Sequence, residues 1–119
     1  MIELQQADWP APASVRAFVT TRKGGVSEPP YSGLNLAAHV GDKCEAVEVN
    51  RNLLSKKIEL PSTPVWLNQV HSNYVIQVDA GMTDMVDADG SFTKETGVVL
   101  AILVADCLPI FVCSQSGEE

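Results

Sequence analysis

Residues 98–112 read VVLAILVADCLPIFV. The first part of this run does not alternate between apolar and polar residues. That pattern predicts a strand covered on both faces, the kind found in a largely parallel sheet flanked by helices. The run is interrupted by Asp106 and Cys107, and then by Pro109. A carboxylate in such a place costs free energy unless it has partners. Asp106-Cys107 then reads as the end of a core strand opening into a site. Pro109 would redirect the chain so that Leu108 and Ile110 return to the core. Ile110–Cys113 (IFVC) reads as a further short strand, and 114–119 (SQSGEE) as a hairpin turn with no return strand. That unpaired apolar edge predicts self-association or a complementing C-terminal half.

Working outward, SVRAFVTTR (14–22) suggests a strand, with Val15, Ala17 and Val19 on one side. RKGGVSEPPYSG (22–33) reads as a long irregular loop, in which Gly24 and Gly25 can take positive φ. Asp42 and Glu45 have the spacing of a capping box. Behind them Ala46, Val49, Leu53, Leu54 and Ile58 predict one apolar helical face, ended by Pro61 and Pro64. PVWLNQVH and NYVIQVD read as strands, with Ser72-Asn73 in a turn between them. MVDADGSFT reads as a polar loop.

At 45% apolar and 19% charged residues, the 119-residue chain has the makeup of one small globular domain with a real core. A net charge of −7 argues against nucleic acid as a partner, since that needs clustered Lys and Arg. The apolar run is too short and too interrupted to cross a membrane. MIELQQADWP has neither the basic nor the apolar part of a secretory signal. Three cysteines make a poor disulfide framework, so reduced thiols in the cytoplasm are expected.

Cys107 reads either as a packed core cysteine or as a thiolate, nucleophile or metal ligand, which needs a cation or metal nearby. His71 follows the strand WLNQV in a polar stretch; it is a surface histidine or a ligand. His39 is either a third ligand or a residue that positions the loop before the helix. Cys113 would stand about 20 Å from Cys107 along a straight strand, so core packing suits it better, and Cys44 is incidental. Arg22 leaves the first strand beside the Gly24-Gly25 loop, where a guanidinium can hold phosphate or a ribose hydroxyl; a solvated surface role is equally open. Asn35 and Asp89 lie in loops with the same two readings.

Taken together, TTRKGGVS (20–27), LNLAAHVGD (34–42), VWLNQVHS (65–72), DADGSFT (87–93) and VADCLP (104–109) resemble the YfiH-type laccase-domain family. That family is also called polyphenol oxidase or peptidoglycan editing factor. The resemblance runs from about Trp9 to Cys113 and implies the N-terminal part of a single mixed α/β domain. It implies a metal site, usually zinc, to which His71 and Cys107 give two ligands. The third belongs to a HAGWRG-like motif absent from these 119 residues, and His39 matches a different motif position. The implied activity is that of a purine nucleoside phosphorylase acting on inosine, adenosine and methylthioadenosine, with adenosine deaminase activity. Nucleoside and phosphate would be the partners, with Arg22, Asn35 and Asp106 near the substrate and His71 and Cys107 catalytic. Asp106 would hydrogen-bond loop backbone or orient a ligand. Copper is possible at a Cys/His site, but laccase chemistry with several coppers needs many histidines and the chain has two. A cysteine hydrolase acting on peptidoglycan precursors, with Cys107 as nucleophile and His71 as base, and an inactive fragment are the alternatives.

Overall fold

The computed structural model describes residues 1–82, 85–104 and 107–119. The chain divides into two compact units. Unit 1 holds Met1–Trp9 and Arg16–Glu59; unit 2 holds Pro10–Val15 and Leu60–Glu119. Strands and a helix are both present, so the fold class is mixed α/β.

In unit 1, β1 (Leu4–Gln6) pairs antiparallel with β2 (Phe18–Thr20), Leu4 opposite Thr20 and Gln6 opposite Phe18. A long loop leads to helix α1 (Cys44–Lys57). Glu45 in its first turn and Lys56 and Lys57 in its last suit the helix dipole. The capping box does not form. Lys43 is the N-cap and makes no side-chain cap bond. Asp42 is drawn away by Ser27 Oγ and Asn35 Nδ2, which donate to its Oδ2 at 2.5 and 3.1 Å.

The buried face of α1 is also rotated from the predicted one. Val47, Asn50, Leu54 and Ile58 are buried, whereas Val49 and Leu53 are 43% and 39% exposed. The cause is polar. Fully buried Asn50 donates through Nδ2 to Ser27 Oγ (2.9 Å), Gly33 O (3.2 Å) and Asn35 O (2.8 Å), and its Oδ1 accepts from Val26 N–H (2.8 Å). A search for apolar periodicity passes over an asparagine whose partners come from a loop. At the next residue, Arg51 donates to Leu36 O through Nε and Nη2 at 3.0 and 2.7 Å. Gly25 (φ 75°) shows how tight the seam is. A Cβ there would lie 2.6 Å from both Asn50 Oδ1 and Gly33 O, and its backbone conformation disfavours any other residue.

Among its described residues, unit 2 has two small sheets. β3 (Val65–Asn68) lies between β5 (Val86–Asp87) and β7 (Leu100–Ala101), parallel to both. β4 (Val75–Gln77) is parallel to β6 (Gly90–Phe92). MVDADGSFT is therefore not a simple polar loop: its two ends form β5 and β6. Val65, Leu67, Val78 and Ala88 are buried. Backbone bonds from Val65 N–H to Val99 O, Ala88 N–H to Asn68 O and Val78 N–H to Phe92 O extend the pairing beyond the strands.

The opening run departs most from expectation. Among the described residues of the predicted strand, Leu100–Ala101 form β7 and Val99 O accepts from Val65 N–H, whereas Leu100, Ile102 and Val104 are exposed. Among the described residues β7 has one neighbour, β3, so its other edge and much of its apolar surface stay uncovered. Leu108 and Ile110 do not return to the core; they are 84% and 75% exposed. Ile110–Cys113 is not a strand. The turn at 114–119 does form, with Ser114 Oγ accepting from Glu118 N–H and Glu119 N–H at 3.1 Å each.

Candidate functional site

β3 ends at Asn68 and β4 begins at Val75, and the two strands belong to different sheets. The residues between them must change direction. His71 makes the change with φ 57°. A non-glycine residue in the left-handed region carries a cost of roughly 1–2 kcal/mol, less for the few polar types, His among them, that enter it more readily.

One carboxylate holds this turn. Asp89 Oδ1 accepts from Val70 N–H (3.1 Å) and His71 N–H (2.7 Å). Its Oδ2 accepts from Ser72 N–H (3.0 Å) and Ser72 Oγ (2.6 Å). Ser72 Oγ in turn accepts from Tyr74 N–H at 3.1 Å. The backbone closes the loop from the other side, where Asp89 N–H and Gly90 N–H both donate to Tyr74 O. The Ser72 hydroxyl above all, then the N–H groups of Ser72, Val70 and His71, hold the Asp89 carboxyl below its ordinary range. Three consecutive backbone N–H groups thus converge on one anion. The His71 side chain itself is exposed.

Cys107 also lies in unit 2 and is exposed, so the reading of it as a packed core cysteine does not hold. Cys113 is half-buried there, and Cys44 is exposed on α1. Asp106 lies outside the described residues. Arg22 and His39 are exposed in unit 1. Asn35 is used by its own loop: Nδ2 donates to Ala37 O (3.3 Å) and Asp42 Oδ2, and Oδ1 accepts from Ala37 N–H (3.1 Å). Asp89, read as a possible loop contact to ligand, instead organises the turn that carries His71. Its signal was present in DADG, but a long-range carboxylate–backbone clamp leaves no local spacing to read.

Imidazole nitrogen and thiolate sulfur are donors that zinc takes, and His71 and Cys107 are both exposed enough to offer them. Two donors do not complete a site. Among the described residues no group of three or more His, Cys, Asp or Glu side chains is placed to hold a metal ion.

These features define a mixed α/β protein that presents a histidine from a clamped turn between two strands. The chain belongs to the family described as multi-copper polyphenol oxidoreductase laccase, whose model matches residues 16–119. It is 49% identical over 112 residues to a purine nucleoside phosphorylase of Pseudomonas aeruginosa, covering 94% of this chain and 45% of that protein. It is 44% identical over 119 residues to the purine nucleoside phosphorylase YfiH of Escherichia coli, covering all of this chain and 49% of that one. A crystal structure of a Neisseria meningitidis protein superposes with a TM-score of 0.88 at 43% identity, over 97% of this chain and 47% of the other. YlmD from Geobacillus stearothermophilus gives 0.72 at 33% identity, over 80% and 39%. The chain therefore spans about half the length of the curated relatives it matches.

Proposed function

We propose that this chain is the N-terminal part of a single-domain purine nucleoside phosphorylase acting on inosine, adenosine and methylthioadenosine, with adenosine deaminase activity as a second reaction. The names of the relatives support the phosphorylase class. The observation that carries the site assignment is the Asp89-clamped turn presenting His71. In phosphorolysis an oxygen of phosphate bonds to ribose C1′ while the bond from C1′ to the purine nitrogen breaks and its electron pair leaves with the base. Arg22 is assigned to the phosphate, whose charge a guanidinium fork matches. Asn35 serves by holding the Arg22-to-Asp42 loop in shape.

His71 and Cys107 are assigned as two ligands of zinc, with the third supplied from outside these residues. When bound, the metal supplies a Lewis acid and a water acidified toward neutral pH. Copper oxidation of phenols, which the family description names, calls for many histidines and is not favoured by two. Because the described residues gather no three-ligand group, a second reading is that the 119 residues alone are inactive and need a complementing C-terminal half or self-association. No helix among the described residues is long and apolar enough to cross a membrane; the proposed location is the cytoplasm.

The test is to incubate the intact protein with inosine, adenosine or methylthioadenosine, with and without phosphate, and identify the products. Free base and ribose 1-phosphate (its methylthio form from methylthioadenosine) are expected only with phosphate; inosine and ammonia from adenosine and water are expected with or without it. Base release without phosphate, or none at all, overturns the proposal. Activity surviving chelation, with a covalent adduct at Cys107, would instead favour the cysteine hydrolase.

A further inference from the structure

We infer that Asp89 is a positioning residue: it fixes the Val70–Ser72 turn so that His71 is held in one place for the ligand it binds. This rests on the assignment of His71 above and deepens it.

Three observations carry it. First, Asp89 sits 17 to 19 residues away in sequence from the groups it binds, so the clamp joins two separate segments. Second, its acceptors are divided evenly: Oδ1 takes Val70 and His71, and Oδ2 takes both Ser72 donors. Such a fork leaves the turn little freedom to rock. Third, the residue at the centre of the turn is a histidine in a backbone conformation that glycine would occupy more easily, and its side chain is exposed. An exposed imidazole contributes no core packing. Its backbone N–H is nonetheless bound by the same carboxylate that holds Val70 and Ser72. Partners that orient a metal ligand or a catalytic histidine typically matter by 10- to 100-fold in affinity or activity. They usually act through the imidazole; here the contact is through the histidine's own main chain and its neighbours'.

The test uses the intact protein, with zinc as the probe. Zinc affinity is measured by competition with a chromophoric chelator, and the His71 imidazole is followed by NMR, for wild type and the His71→Ala, Asp89→Ala, Asp89→Asn and Ser72→Ala variants. Asp89→Ala is expected to weaken zinc binding roughly 10- to 100-fold and to broaden or shift the His71 signal. Asp89→Asn keeps one acceptor oxygen for Val70 and His71 and should fall between Asp89→Ala and wild type, with Ser72→Ala milder still. If His71→Ala weakens zinc binding but the Asp89 variants do not, the positioning role is overturned and the assignment of His71 stands. If His71→Ala leaves zinc binding unchanged, the assignment fails and the positioning role fails with it. Should Asp89→Ala not fold, Asp89→Asn decides: wild-type affinity together with an unshifted His71 signal overturns the inference.

Discussion

Two polar side chains hold two loops in this molecule, and they do so to opposite ends. In unit 1, Asn50 is fully buried and gathers Val26, Ser27, Gly33 and Asn35 against α1. In unit 2, Asp89 gathers Val70, His71 and Ser72. Every polar atom of the Asn50 side chain is spent inward, so the result is a sealed seam. The Asp89 clamp spends backbone groups and leaves an imidazole facing out. The difference teaches where to look for function: a hydrogen-bond hub that consumes its own side chains stabilises, and one that frees a reactive side chain presents.

The comparison predicts its own variants. Asn50→Ala removes the bonds to Val26 N–H, Ser27 Oγ and Asn35 O, each worth about 1 kcal/mol. A loss of about 2–4 kcal/mol is expected in urea denaturation; a loss under 1 kcal/mol would mean that the seam is not sealed. His71→Gly should do the reverse. It should leave stability within about 1 kcal/mol of wild type, since glycine accepts the positive φ, while removing zinc binding. A large loss of stability would show His71 to be a structural residue like Asn50.

The smallest effect is on pH. Hydrogen bonds from Ser27 and then Asn35 hold the Asp42 carboxyl below its ordinary 3.8. A depressed carboxylate adds stability that is present above its unfolded value and lost as pH falls through the folded one. Asp42→Asn should therefore flatten the fall in stability below about pH 4 and change the neutral-pH slope little. An unchanged acid limb would remove Asp42 from the seam.

The fold class was legible through the motifs that carry the family resemblance, and the strands at VWLNQV and YVIQVD and the helix α1 were legible from their own patterns. The long loop with Gly24 and Gly25 was equally plain, because both glycines take positive φ. Strand β1 was missed: LQQ carries no alternation, and it is paired by its partner β2 rather than by its own pattern. The face of α1 was misplaced because Asn50 is buried by partners 15 to 24 residues away. VVLAILV was read as doubly covered because composition reports what a strand prefers, not which neighbours are present. At the site, His71 stood out through QVHS. The role of Asp89 did not, since it depends on β5 and β6 returning beside β3 and β4.

The most direct measurement is hypoxanthine release from inosine by the intact protein and its His71→Ala variant, each with and without phosphate. The account predicts release by wild type that depends on phosphate and is lost in the variant. Equal release by the two proteins, or release that ignores phosphate, would contradict it.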